Sequence, residues 1–232
     1  MSGGEKMKIH AIVVAKSRKN NGYCLVIYDI DNNCFRRLIS NNPFRQDKEL
    51  LYYECLYANN REIRLKDELY AYIDGRNTGD LIQPENFYLD INRNFEFIKR
   101  LKSQEIKKII KKHIDTTDYI FEDCFNKLSS KPLLTKSFLI CEVENLRFYT
   151  ISKQREDFST YDKCECDFTY KGIKYNNFSV TIKGSRHDDI EKYSGNSYKK
   201  ALVGFSIGHQ YNGYHYKFLC SFLGRAKEEE NE

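Results

Sequence analysis

Lys16, Arg18 and Lys19 place three cations within four residues, beside Ser17 and ahead of Asn20-Asn21-Gly22. A loop of this composition can donate to phosphate oxygens from side chains and from backbone N–H groups together. The same residues equally make an ordinary solvated turn that keeps a β-domain soluble. Arg36 and Arg37 follow on the next apolar stretch but one. Strand alternation sends one of them outward and one toward the core or the barrel mouth. An inward guanidinium needs a partner, so Arg37 is expected to bond a carboxylate such as Glu85. Further along, Tyr149, Tyr170, Tyr175 and Tyr216 stand near Arg147, Lys171 and Lys217. Aromatic rings interleaved with cations suit base stacking, at about 1–3 kcal/mol per base. The chain is also rich in Lys, Ile and Asn, the signature of an AT-rich genome, which inflates Tyr and Phe without any functional demand and is the plainer account of these rings.

Catalytic chemistry finds less support. Asp90 followed by Glu105-Ile106-Lys107 has the order of a metal-dependent nuclease, but the Glu-x-Lys falls in a helical pattern, where alternate residues diverge. His187-Asp188-Asp189 reads as a polar loop, and His113, His209 and His215 lack acidic or cysteine neighbours at ligand spacing. No glycine-rich phosphate loop or dinucleotide fingerprint occurs. Cys164 and Cys166 are the one close cysteine pair, and the sequence has no Cys-x-x-Cys and no histidine at zinc-finger spacing from them. The expectation is therefore no enzyme activity, no cofactor, no bound metal, and eight reduced cysteines in a cytoplasmic protein.

The elements that must carry these residues are mostly strands. From Lys8 to Asp90 apolar residues alternate, as in Ile9-Ala11-Val13, Tyr23-Leu25-Ile27 and Leu69-Ala71-Ile73, and five strands would fill one small barrel. At Ile91 the period changes. Phe95, Ile98, Leu101, Ile106, Ile109, Ile110 and His113 recur at three and four, which predicts a helix over residues 94–113, with Lys107-Lys108 and Lys111-Lys112 on one cationic face. A second short helix is predicted from Thr116 or Thr117 to about Leu128. The β pattern resumes after Pro132 and runs to Leu223. Domain expectations follow: an N-terminal barrel at 7–91, a helical connector at 92–135, a C-terminal barrel at 136–224, and a disordered charged tail at 225–232.

Composition narrows the partners. The chain of 232 residues has a net charge of +5, and residues 92–113 carry eight lysines and arginines against two acidic residues. An electrostatic partner should meet that stretch or a loop beside it. No apolar run approaches the length of a membrane span, and no cationic leader opens the sequence.

Four motifs in order carry a resemblance. They are the Ser17-Arg18-Lys19 turn after the first strand, Phe35-Arg36-Arg37-Leu38-Ile39-Ser40, Gln83-Pro84-Glu85-Asn86 with Phe87-Tyr88-Leu89-Asp90, and Ser206-Ile207-Gly208 running to Gly213-Tyr214-His215-Tyr216-Lys217. In these the chain resembles the dual OB-fold domain family of prokaryotic conflict and anti-phage defence systems, over residues 8 to 223. The sequence departs from that pattern in having no tryptophan and in Leu38 at an expected proline. The resemblance implies two small OB-like β-barrels and a non-catalytic nucleic-acid-binding or sensing module in defence, perceiving DNA or RNA for a separate effector protein encoded nearby. Together with the cationic and aromatic patterns above, the expected contact residues are Lys16, Ser17, Arg18, Lys19, Arg36, Arg37, Arg147, Tyr149, Tyr170, Lys171 and Lys217. The alternative is a protein–protein adaptor that holds an effector subunit. The two halves show no repeat in sequence, so the second barrel rests on the resemblance alone.

Overall fold

A computed structural model describes residues 6–19, 22–42, 44–45, 48–76, 80–128, 134–155, 157–182 and 193–225, with the side chains of 19, 75 and 76 outside the description. The chain divides into two compact units, Met1–Ile110 with Leu133–Ser137, and Lys111–Pro132 with Phe138–Glu232. Among the described residues no helix is long and apolar enough to cross a membrane.

The first unit is built from β1 (Met7–Lys19), β2 (Gly22–Asp29), β3 (Cys34–Ile39), β4 (Asp67–Arg76) and β5 (Asn86–Leu89), with β6 (Glu96–Arg100) and the seven-residue α1 (Ser103–Ile109). The strands close in the order β1-β2-β3-β5-β4 and back to β1. Every pairing is antiparallel except β3 with β5. One long strand serves two neighbours because β1 changes register between Val13 and Ala15. Its first half pairs with β4 and its second with β2, and a bulge supplies the bend that closure needs. Alternation then selects the core: Ile9, Ala11, Val13, Tyr23, Leu25, Ile27, Leu38, Leu69, Ala71, Ile73 and Leu89 point inward. The connection from β3 to β4 adds Leu50, Cys55, Tyr57 and Ile63 to the same core. Leu50 also exchanges two backbone hydrogen bonds with Tyr23 (2.8 and 3.0 Å). Gly22 permits that approach, since a Cβ there would lie 2.4 Å from the Leu50 carbonyl oxygen. Truncating an inward leucine such as Leu25 to alanine should cost about 3 kcal/mol.

The second unit repeats this ring with unrelated residues. It contains β7 (Lys127–Leu128), β8 (Phe138–Gln154), β9 (Thr160–Tyr170), β10 (Ile173–Val180), β11 (Ser197–Tyr211) and β12 (Tyr214–Arg225). They close in the order β8-β9-β10-β12-β11 and back to β8, and again the third and fifth strands of the ring, β10 and β12, are the parallel pair. Aromatic rings fill this core. Phe168 stacks on Tyr175 at 5.0 Å, and Phe178 and Phe205 pack against Phe168. Two hairpins turn on two residues with positive φ, Lys171-Gly172 and Asn212-Gly213. Both have the mirror-image turn geometry whose twist matches the flanking strands.

The expected helices at 94–113 and 117–128 are corrected. In the first, residues 96–100 are β6. That strand pairs with Asp67–Tyr70, the part of β4's edge that β5 leaves uncovered. Helical structure starts only at Ser103, and Lys111–His113 is a short 3-10 turn, so the four lysines do not share one helical face. Pairing with an unfilled edge outweighs a helical period of apolar residues. From Thr117 to Asn126 the chain is bends and turns. Several of its backbone groups bond to the second barrel, and Asn126 O accepts from Lys217 N (2.9 Å). Ile120 N donates to the Tyr175 hydroxyl (3.2 Å), and the Ile120 and Asp123 carbonyls accept from Lys217 Nζ (2.7 and 2.8 Å). The end of the predicted connector (129–133) and the tail (226–232) lie outside the described residues.

Candidate nucleic-acid interface

The Ser-Arg-Lys stretch is strand rather than loop. Lys16, Ser17, Arg18 and Lys19 pair in register with Leu25, Cys24, Tyr23 and Gly22, so β1 runs straight through the motif. Lys16 is 2% exposed. Its Nζ lies 2.5 Å from Glu62 Oε1, 3.0 Å from the Ile63 carbonyl oxygen and 4.5 Å from the centre of the Tyr23 ring. Ser17 is buried as well, and Arg18 is exposed. The Lys19 side chain lies outside the described residues. Reading Lys16 as a solvent-facing phosphate contact is therefore corrected: its charge is spent on a buried carboxylate.

Arg36 and Arg37 are also internal to the first unit. Arg36 Nε donates to Asp29 Oδ2 at 2.6 Å, and its guanidinium sits 4.2 Å from the Phe87 ring centre. Arg37 reaches the Ser137 carbonyl (3.3 Å) and hydroxyl (3.0 Å), and Ser137 donates from N and Oγ to the Glu85 carboxylate, each at 2.6 Å. The carboxylate expected for Arg37 is thus reached through a serine. Both arginines are buried, so neither is open to a ligand.

Tyr170 and Lys217 are corrected in the same way. Tyr170 is a core residue whose hydroxyl lies 3.1 Å from both the carbonyl and a carboxylate oxygen of Asp115. Lys217 has no exposed side-chain surface. Besides the two carbonyls named above it contacts Asp123 Oδ1 at 2.6 Å, and burial pulls its pKa below the usual lysine value. Tyr175, stacked on Phe168, is equally buried. Lys171 is exposed at its hairpin turn, and Tyr216 is half-buried beside Tyr211 and Tyr214.

Arg147 and Tyr149 are brought together. Strand alternation puts Arg147, Tyr149, Ile151 and Lys153 on one face of β8. Opposite them in register on β9 stand Asp167, Glu165, Lys163 and Tyr161. The Tyr149 hydroxyl lies 2.9 Å from Asp167 Oδ1 and 3.0 Å from Asn177 Oδ1; burial and the Asp167 carboxylate push its pKa up. Lys153 and Lys163 flank Glu165 Oε1 at 3.3 and 2.9 Å while keeping solvent access. The Arg155 guanidinium lies 5.2 Å from the Tyr161 ring centre. The other face of the same two strands is uncharged except for Asp162, with Thr150, Ser152, Gln154 and Thr160. Beyond Tyr149 and Cys164 the pair leaves the barrel as an arm, since no described residue from Thr150 to Lys163 is buried. Lys153, Arg155, Tyr161 and Lys163 were missed in the sequence. The signal was the period-two series Tyr149, Ile151, Lys153, Arg155.

For catalysis, no group of three or more His, Cys, Asp or Glu residues among the described residues is placed to hold a metal ion. Asp90 accepts from Lys6 (3.2 Å) and from the Asn92 backbone, and Glu105 Oε2 accepts from Lys102 N at the start of α1. His215 is buried with Nδ1 3.0 Å from the Gly208 carbonyl oxygen. His187-Asp188-Asp189 lies outside the described residues.

In comparison with known proteins, the family model described as the Dual OB-containing domain matches residues 9–221. No curated protein matches the chain.

Proposed function

The chain belongs to the dual OB-containing domain family, and from that membership and the β8–β9 surface we propose that it is a non-catalytic nucleic-acid-binding module. OB-folds engage oligonucleotides on the face of their second and third strands and on the loop between the first and second. In the second barrel those are β9, β10 and the β8–β9 arm. The observation that carries the reading is the shared face of β8 and β9, where Arg147, Tyr149, Lys153, Tyr161 and Lys163 outnumber its two acids, Glu165 and Asp167. Cations there meet phosphates and release counterions, and the rings offer stacking surface. By the family resemblance the module acts in the cytoplasm in prokaryotic anti-phage defence, sensing invading DNA or RNA for a separate effector.

A second reading, protein–protein adaptor, is favoured by one observation. The β3–β4 connection holds Phe44 93% and Tyr53 62% exposed, with Arg45 bonded to Glu54, Ser40 and the Tyr53 hydroxyl beneath them. Exposed aromatics on a fixed loop resemble the anchors of protein interfaces. Salt separates the two readings. Anisotropy titrations of a labelled oligonucleotide between 50 and 200 mM salt should show a steep loss of affinity. The combined change Arg147→Ala, Lys153→Ala, Lys163→Ala should flatten the slope by about 2–3 charge units. Binding that ignores salt, or that the triple variant leaves unchanged, refutes the proposed interface.

A further inference from the structure

Phe158 is the most exposed aromatic of the second barrel, at 81%. It stands at the tip of the β8–β9 arm with φ of +64°, a left-handed conformation that a bulky side chain rarely adopts. Local bonds hold it there. Phe158 N donates to the Arg155 carbonyl (3.0 Å), and Arg155 N donates to the Ser159 carbonyl (2.8 Å). Asp157 Oδ1 accepts from both the N–H (3.0 Å) and hydroxyl (2.6 Å) of Ser159. Strain of this kind is retained where the surroundings enforce it, and it presents an apolar ring to solvent at the end of an arm whose other residues are polar or half-covered.

Charge along the arm is ordered. Lys153 and Lys163 sit nearer the barrel, and Arg155 folds back over Tyr161. In the sequence the ring is preceded directly by two acids, Glu156 and Asp157, while the cation before them, Arg155, is the one drawn over Tyr161. An acid at the tip repels phosphate, so a polyanion that follows the lysines can offer the tip only its bases. Resting on the nucleic-acid reading above, we propose that Phe158 is a base-stacking tip, and that the substrate is a nucleic acid with unpaired, accessible bases rather than uniform duplex. A ring on a fixed hairpin stacks on a base only where that base is already free of its partner, or where unstacking is cheap.

The sequence contains no tryptophan, so Phe158→Trp introduces a single indole as a direct reporter. Its emission should be quenched when a single-stranded 20-mer binds, and much less on addition of the matched duplex. Phe158→Ala should weaken single-strand binding about 5- to 150-fold, the factor one stacked base supplies, and Phe158→Trp should restore it. Circular dichroism of both variants should match the parent, because the side chain touches nothing that folding needs. If the oligonucleotide binds with unchanged emission and Phe158→Ala binds as the parent does, the stacking tip is refuted while the nucleic-acid reading stands. Equal or stronger quenching by duplex refutes the preference for unpaired bases. Absence of any oligonucleotide binding by the parent refutes the nucleic-acid reading and the tip together.

Discussion

Replacing Lys16 by alanine tests whether the first motif of the chain is structural. Lys16 and Glu62 are 2% and 7% exposed, with Nζ and Oε1 2.5 Å apart. Removing the ammonium leaves a carboxylate desolvated and unpaired and takes a hydrogen bond from the Ile63 carbonyl. Breaking a buried pair from one side costs about 3–5 kcal/mol. At about 4 °C per kcal/mol for a unit of this size, the first barrel's unfolding midpoint should fall by roughly 15 °C. Arg18→Ala, one residue beyond Ser17 but exposed, should stay within about 0.5 kcal/mol of the parent. The double change Lys16→Met, Glu62→Leu should recover most of the loss, since two apolar side chains of similar volume replace the pair without stranding a charge. The assay is urea and thermal unfolding by circular dichroism, with hydrogen exchange of β1 and β2 peptides to assign the transition to this barrel. A Lys16→Ala protein within 1 kcal/mol of the parent, or a double variant as unstable as the single one, would refute the account of the pair.

Three further outcomes are expected. In the native protein Cys124, the exposed thiol, should be the first to react with a thiol reagent; Cys55, pushed up to about 12 by burial, and Cys141 and Cys166, also raised by burial, should react only on unfolding, as counted by mass spectrometry. Lys217→Met should cost on the order of 2 kcal/mol and accelerate hydrogen exchange at Ile120, whereas exchange no faster than the parent's would show that the lysine does not hold this segment. Stability should fall above pH 10: burial raises Tyr23 from about 10 to about 12, so its contribution is complete below pH 10 and lost by pH 12, and Tyr57 and Tyr170 are raised in the same direction. Lys217, lowered by burial, acts with the opposite sign, so the fall should be steeper in Lys217→Met; flat stability from pH 9 to 11.5 would contradict the tyrosine assignments.

The core was legible where two conditions coincided, alternation and short range. Ile9-Ala11-Val13 and Tyr23-Leu25-Ile27 alternate within one strand each, and both sets point inward as read. The Asn212-Gly213 hairpin is encoded in two adjacent residues. Charged residues were legible only by composition, and composition does not say which charge is solvated. Lys16 and Arg18 look alike in the sequence. Their difference is made by Glu62, 46 residues away, which the chain returns to the end of β1. Arg37 likewise depends on Ser137, 100 residues away. Helical spacing at 95–101 was real but lost to an unfilled edge of β4, a fact that depends on where β5 stops. At 117–126 the deciding groups were the Tyr175 hydroxyl and the Lys217 ammonium, both far along the chain.

The two rings use the same strand order and spend their first hairpin differently. In the first barrel, β2 takes a backbone pairing with Leu50, and Lys16, the first cation of the motif, is neutralised by Glu62 inside the protein, which leaves Arg18 exposed nearer the turn. In the second, the equivalent strands β8 and β9 run on past the barrel, where Lys153 and Lys163 share one carboxylate and remain open to solvent. A lysine already desolvated against a carboxylate has little left to offer a phosphate, because exchange would strand the carboxylate it leaves. Glu165 is buried as well, but two half-exposed lysines share it, so either one can turn to a phosphate while the other keeps the carboxylate paired. Under the proposed nucleic-acid reading, Lys16 is a stability residue, and Lys153 and Lys163 are expected to carry more of the salt dependence than the first motif does. The salt slope should respond to Lys153→Ala and Lys163→Ala. The double variant Lys16→Met, Glu62→Leu should leave the slope as it is; a slope reduced by that double variant would return the phosphate contact to the first barrel.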